Sequence, residues 1–447
     1  LGSGTGLINE LGEKIDGLSR IPLRPGVMIA ISLASFFSYY DVANYAYISP
    51  VLRSVWGVSD ADIALGASLT VAGYVAGAIG ITALADLKGR RVAFIASILL
   101  LGVGSLLAAM AQDMTQLTIF RFITGAGIGS EYAIASVYIG EMSPKSKRGK
   151  YTSLFNALGW TGLTLSGPIS LFLLQNQLAG MDGWRIVLGI AGVVALVSLP
   201  FRARMPESPR WLLSKGRVGE TNEVLKSIGV QPLQSSELGQ REKHSFAFLK
   251  NRQTLGRILF LGAVWTLILI PIYASLLLVV AFVNQGYTVT ESISINILSA
   301  IGFVAGGIMA VIAGDRLERK YQIAIAAIGM SAGFILRGLL VQDFAGLVIA
   351  GFVAFFSNAW LITSLLAYTA ENFPTRIRSS ATGIVEGSSR GIAAIAPFIF
   401  VALQPYGFAT VMNGIAVFSF VGAGVMLALG IKTRGQPLEK LSQDRPT

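Results

Sequence analysis

The sequence predicts an all-α polytopic membrane protein of twelve transmembrane helices in two six-helix bundles. Three observations predict it. The 447 residues are 53% apolar and only 13% charged, with a mean hydropathy of +0.64, whereas soluble domains carry about a quarter charged residues. Apolar runs of about 20 residues recur along the chain, the length a helix needs to cross the hydrocarbon core. The charged ending EMSPKSKR at 141–148 returns as ENFPTRIR at 371–378, which marks an internal repeat.

Taken in order, residues 1–24 form a polar N-terminal segment, weakly amphipathic from residue 7, and the opening LGSGTG reads as a trimmed or appended terminus. Spans are expected near 26–49, 62–84, 92–111, 117–141, 151–174 and 184–200, the N-terminal bundle of 25–200. A polar segment, 201–256, with short surface helices, divides the chain. Spans near 257–282, 292–313, 322–341, 344–370, 379–403 and 408–431 form the second bundle, 257–431, and 432–447 is a tail. The loops 85–91, 142–150, 201–256, 314–321 and 371–378 hold most of the 35 Lys and Arg, and the opposite loops little beyond Arg53 and Arg185. That asymmetry explains the net charge of +11 as orientation, with both termini cytoplasmic in the plasma membrane, and removes any need for nucleic acid.

The halves align at an offset of 229–230 residues. Asp86 falls on Asp315, Arg90 on Arg319, Gln112-Asp113 on Gln342-Asp343, Glu141 on Glu371, Pro144 on Pro374 and Arg148 on Arg378. Parallel repeats of this kind place a substrate site between the halves near the bilayer midplane. Zero cysteines exclude disulfides and thiol chemistry, and the single histidine, His244, lies in a polar loop. No phosphate-binding GxxxxGK[ST] loop occurs, so ATP-driven transport has no support. No metal, nucleophile or cofactor constellation suggests an enzyme.

LADLKGRR at 84–91 and AGDRLERK at 313–320 put an Asp beside basic residues in a tight turn. Asp86 and Asp315 can accept from the turn's backbone N–H groups and pair with arginine. Glu141 and Glu371 are expected to pair with Arg90, Arg91, Arg148 or Arg378 across the same face. Ion pairs of this sort hold one conformation and break in another.

LADLKGRR resembles the loop signature between the second and third helices of the major facilitator superfamily. SVYIGEMSPKSKRGK at 136–150 and PESPRWL at 206–212, with Glu207 and Arg210, resemble motifs of its sugar porters. YTAENFPTRIRSSATGIVEGSSRGIAAIAP at 368–397 resembles the branch of organic ion, niacin and aromatic-acid transporters. There are departures: Glu318 stands where the family usually has Gly, and the seventh span lacks the amide side chains with which hexose porters hold sugar. The resemblance implies a superfamily fold in which spans one, four, seven and ten line the cavity. It also makes Arg337, on the peripheral ninth span, structural.

Within the spans, helix rise places Asp41 roughly 25 Å and Arg121 about 30 Å above the cytoplasmic ends, so the two are expected to meet. An Asp beside an Arg stays ionised, while burial without the Arg favours the protonated form. A switch between those conditions takes up and releases a proton, and the pair resembles one in proton-coupled sugar porters; a static buried ion pair is the alternative. Glu131, ~15 Å up the fourth span, is a second candidate for coupling, or is bonded to a neighbouring helix. Arg390, in the setting Ser389-Arg390-Gly391, resembles the substrate-anion partner of organic anion transporters. Glu386 lies four residues earlier and can instead neutralise it. Glu386 and Arg390 map onto Asn156 and Trp160 of the first half. Tyr39, Tyr40, Tyr45, Trp160, Trp265, Tyr273 and Trp360, with Asn44 and Asn358, are further cavity candidates. GAGIG at 125–129 lies inside a span and is read as helix packing.

The expected function is secondary transport of a small organic solute, as proton symport of an organic carboxylate by a monomer. A sugar porter or uncoupled facilitator is the alternative, and a non-transporting receptor a remote one.

Overall fold

Side-chain caps start several of the helices. A computed structural model of the chain describes residues 3–144, 148–176, 180–234, 251–314, 316–373 and 378–432. α1 (Ser3–Asp16) precedes α2 (Pro25–Trp56), α3 (Asp60–Lys88), α4 (Arg90–Met110), α5 (Met114–Met142), α6 (Arg148–Gln175) and α7 (Gly183–Ala203). Two short helices, α8 (Pro209–Ser214) and α9 (Val218–Ser227), lie between the halves in sequence. The second half holds α10 (Arg252–Ala274), α11 (Leu278–Asn284), α12 (Val289–Ser299), α13 (Ile301–Gly314) and α14 (Arg319–Leu339). It ends with α15 (Phe344–Glu371), α16 (Arg378–Ala393), α17 (Ala396–Leu403) and α18 (Phe408–Leu429).

α10 and α11 are one span broken by a 3-10 turn at Ser275–Leu277 that follows Pro271. α12 and α13 break at Ala300, and α16 and α17 break just before Pro397. With each broken pair counted once, both halves hold six helical rods. Ten of these segments are long and apolar enough to cross a membrane among the described residues. α5 and α6, of 29 and 28 residues, are as long and pack among them.

The repeated Gln-Asp pairs acquire a physical meaning. Asp113 accepts from the Gln116 N–H at the start of α5, and Asp343 from the Ala345 N–H at the start of α15. Each side chain satisfies an N–H that the first helical turn leaves unpaired. Packing repeats as well. α3 packs on α5, α4 on α5, α2 on α6, α4 on α7 and α2 on α7. Their counterparts are α13 on α15, α14 on α15, α10 on α16, α14 on α18 and α10 on α18.

The tightest of these contacts needs glycine. A Cβ on Gly77 of α3 would lie 1.9 Å from the Ala126 carbonyl oxygen, and one on Gly129 of α5 2.0 Å from that of Tyr74. The GAGIG stretch is therefore a packing ridge: its backbone touches the backbone of α3. The second half repeats the device, since a Cβ on Gly306 of α13 would lie 2.0 Å from the Phe356 carbonyl oxygen.

The halves meet where α2 packs on α11, α3 on α16 and α17, and α6 on α12 and α13. At one end, here the far face, Arg53 donates to Asn284 Oδ1 at 2.5 Å, and Asn284 donates to Asp60 at 3.1 Å. Beneath this clasp Ala43 and Tyr47 of α2 form one apolar cluster with Val279 and Ile293. The opposite end is the linker face. There α1 buries Leu7, Leu11 and Ile15 against Leu213, Leu225 and Leu233. The helix begins at Ser3, inside the opening stretch that the sequence left without a fold role. α7 also runs to Ala203, so Arg202 belongs to the bundle rather than to the polar segment.

The backbone contact yields a direct expectation. Gly129→Leu will abolish recovery of monodisperse protein in size-exclusion chromatography, because α3 has no side chain there to move aside. Gly80→Ala, which meets nothing within 4 Å, will elute as the parent does.

Candidate functional site

A cavity of about 620 Å³ lies between the halves, within the range for small-molecule sites. Its walls are mostly apolar and aromatic, with Tyr39 and Trp160 from the first half and Trp265, Tyr273 and Phe303 from the second. Arg121, Glu131, Asn358 and Arg390 also line it. One line of rings crosses between the halves: Tyr39 to Trp160 at 5.6 Å, Trp160 stacked on Phe303 at 5.4 Å, and Phe303 stacked on Phe355 at 4.5 Å.

Asp41 of α2 and Arg121 of α5 do meet. Arg121 Nη1 donates to Asp41 Oδ2 at 2.5 Å, and both side chains are buried. Ser105 of α4 donates to the other carboxylate oxygen at 3.3 Å. Arg121 also lies over the Tyr45 ring at 5.4 Å and reaches Thr70 Oγ1 at 3.4 Å. Both partners are out of water, so the pair rests on mutual attraction and on these added hydrogen bonds.

Glu131 has a partner that the sequence did not reveal. Arg202 of α7 holds it with two parallel bonds, 2.6 Å to Oε2 and 2.5 Å to Oε1, and Ser97 donates to Oε2 at 2.8 Å. The two hydroxyls come from one helix: Ser97 and Ser105 of α4 each serve one carboxylate. Arg202 was masked in the sequence by its position, directly after the apolar run of the sixth span and next to a charged segment.

Arg390 of α16 pairs with Glu386 at 3.0 Å, one helical turn away. Its guanidinium also lies over Trp265 at 5.8 Å and over Tyr74 of the opposite half at 5.2 Å. Arg390 therefore touches both halves from the cavity wall. Tyr74 and Phe303 were not singled out, because each sits alone in a uniformly apolar run with no polar period around it.

Several expected cavity residues point elsewhere. Asn44 faces α7, donating to the Val187 carbonyl at 3.3 Å and accepting from Ser170 at 3.1 Å. Tyr40 donates to the same carbonyl at 3.3 Å. Trp360 donates to Gln322 on α14 at 3.3 Å. Helix rotation decides these cases: in each the partner is a neighbouring helix of the same half. Tyr45 lines the cavity while its hydroxyl donates to Ile63 at 2.8 Å, and Trp265 does so while donating to Thr369 at 2.9 Å. Glu386 stands behind Arg390 and outside the lining. The side chain of Asn156 lies outside the described residues.

At the linker face Arg90 joins Asp86 at 2.6 Å and Glu141 at 2.9 Å. The turn's backbone N–H groups are bound by a different acid from the one expected. Glu207 accepts from the N–H of Arg90 at 2.9 Å and of Arg91 at 3.2 Å, while Asp86 takes only the Arg90 side chain. Gly89, with φ 110°, forms that turn, and a Cβ there would lie 2.3 Å from Glu207 Oε2. Arg210 ties the Glu141 carbonyl, at 3.1 Å, to Asp16 of α1, also at 3.1 Å. In the second half Arg319 pairs with Glu371 at 2.8 Å. Asp315 and the side chains of Arg148 and Arg378 lie outside the described residues.

Removal of one partner of a buried pair strands a charge at a cost of about 3–5 kcal/mol, whereas replacing both with apolar groups is close to neutral. Arg202→Leu and Glu131→Leu will each lower the melting temperature of the purified protein. The double variant will recover most of the loss, measured by differential scanning fluorimetry.

The comparisons identify the family and the fold. The family model described as "Sugar (and other) transporter" matches residues 27–444. The niacin transporter NiaP of Acinetobacter baylyi is 27% identical over 97% of this chain and 99% of its own. The benzoate transport protein of the same organism is 26% identical over 87% of this chain and 85% of its own. The partially occluded inward open structure of the Escherichia coli xylose transporter XylE superposes with a TM-score of 0.75 at 18% identity. That superposition covers 92% of this chain and 99% of XylE. The chain is thus a multi-pass membrane transporter of small metabolites, not an enzyme, and it belongs to the sugar (and other) transporter family.

Proposed function

We propose that this protein carries a small organic carboxylate, preferably aromatic, together with a proton, by alternating access. The observation that supports this reading is Arg390 on the wall of an aromatic cavity, in contact with both halves. A carboxylate ring fits such walls by stacking and charge pairing. The relatives named for niacin and benzoate support the same class.

Charge balance supplies the coupling. The cavity charges Arg121, Glu131 and Arg390 are matched by Asp41, Arg202 and Glu386, so the set is neutral. A proton on Asp41 leaves Arg121 uncompensated in a low-dielectric site, and a carboxylate cancels the surplus. A carboxylate alone, or a proton alone, leaves the site charged, which costs several kcal/mol. Asp41 is assigned this role because a single guanidinium nitrogen holds its side chain, whereas Glu131 is fixed by two. Glu131 and Arg202 then serve as an anchor between α5 and α7. XylE, described as a proton:xylose symporter, has a similar fold.

The linker face is read as cytoplasmic from its basic loops. The far face, closed by the clasp and the α2–α11 cluster, gives an inward-facing state, in keeping with the inward open XylE structure. A sugar substrate is the second reading. The family description favours it, but Asn358 is the only carboxamide side chain among the described lining residues.

Uptake of radiolabelled benzoate into proteoliposomes tests the proposal. Accumulation driven by an inward proton gradient is expected in the parent. Asp41→Asn will lose accumulation yet keep benzoate exchange, and Arg390→Ala will weaken benzoate binding by at least ~10-fold, or about 1.4 kcal/mol. Gradient-driven accumulation by Asp41→Asn at the parental rate would falsify the coupling role.

A further inference from the structure

Arg337 of α14 has none of the protection given to the other buried arginines. Its side chain is fully buried, and Nε, Nη1 and Nη2 have no hydrogen-bond partner among the described residues. It faces two rings, Phe355 at 5.1 Å and Phe282 at 5.8 Å. Arginine stays protonated in proteins, and ring faces offset only ~2 kcal/mol of a desolvated cation. A full charge buried this way costs several kcal/mol.

The internal repeat shows what is missing. At the offset of 230 residues Arg121 corresponds to Gly351 of α15. A Cβ on Gly351 would lie 2.3 Å from Arg337 Nη2 and 2.1 Å from Ser299 Oγ. Arg337, reaching across from α14, therefore puts its guanidinium where residue 351 would start a side chain. In the first half a carboxylate from the first span, Asp41, meets the arginine. The corresponding span, residues 252–284, contains no Asp or Glu. Two acids near that end are already used: Glu291 in the capping box with Thr288, and Asp343 as the cap of α15. The second half thus holds a buried cation with no acid paired to it among the described residues.

Access to Arg337 runs through α11. Phe282, which covers the guanidinium, sits on this seven-residue helix beyond the turn Ser275–Leu277. One turn from Phe282 and on the same side of α11, Val279 packs with Ala43 and Tyr47 of the other half. If α11 swings about the Ser275–Leu277 turn to part from α2, Phe282, on the same side of the helix as Val279, leaves Arg337 with it.

We propose that Arg337 is a binding site for a monovalent anion, a small carboxylate or a halide, occupied when α11 lifts and vacated when it closes. Such an anion binds one conformation only and shifts the population toward it. The inference rests on the alternating-access reading above but not on the identity of the transported solute.

The chain has no cysteine, so Val279→Cys gives a single reporter that reacts with a maleimide only when α11 lifts. Labelling of the purified full-length protein is measured in sodium sulfate, sodium chloride and sodium acetate at equal ionic strength. Chloride and acetate are expected to speed labelling saturably, up to roughly 10-fold at ten times the dissociation constant. An effect of one alone assigns the site to that class of anion. Arg337→Met, with Arg337→Gln as the polar control, will label at one rate in all three salts. Equal rates in the three salts with Arg337 present, or an anion effect that survives in both variants, overturns the site. No labelling in any salt overturns alternating access at α11, and the site with it.

Discussion

Charge neutrality in a low-dielectric interior governs this molecule. Among the described residues three buried or half-buried arginines are each matched by a carboxylate, Arg121 by Asp41, Arg202 by Glu131 and Arg390 by Glu386, and Arg337 is the exception. The matching partner comes from another helix in two of the three cases, so the pairs fix how α2, α5 and α7 stand relative to one another. The same rule gives the cavity its chemistry. On the proposed reading, a site balanced at zero resists any single charge and accepts two opposite ones together, which is how it would couple a proton to a carboxylate.

The internal repeat sorts scaffold from function. Helix caps, glycine contacts and packing partners recur between the halves. The linker-face pair recurs too, as Arg90–Glu141 and Arg319–Glu371, but the fully buried ion pairs do not. The first half places two buried ion pairs along α5, whereas the corresponding helix of the second half, α15, has Gly351 where α5 has Arg121, and Arg337 comes instead from α14. The far-face breaks at Ser275–Leu277 and before Pro397 also belong to the second half alone. What was shared supports the structure, and what diverged lies around the cavity and its coverings.

Much of the fold was legible in the sequence because its signals are one-dimensional. Apolar run length gives the spans, and a constant offset gives the repeat. Depth along a helix was also readable, and it matched Asp41 with Arg121. Rotation about the helix axis was not. Asn44 and Trp360 sit at suitable depths and yet face their own neighbours, Val187 and Gln322. A single helical step turns a side chain by about 100°, and no pattern in a nearly uniform apolar run reports that angle. Arg202 was lost for the opposite reason: it stood at a boundary where charge is ordinary, and only the tertiary arrangement shows its side chain turned inward.

The glycine contacts of α3 with α5, and of α13 with α15, have a consequence for how this scaffold tolerates change. A backbone resting on a backbone has no rotamers to readjust, so the bundle's rigidity depends on a handful of small positions. The cavity wall is left to other residues, whose side chains can be exchanged without disturbing that contact. Mutational freedom is thereby concentrated where selectivity is set. Proteins named for niacin, benzoate and xylose can then share one architecture while fewer than three residues in ten agree with this chain.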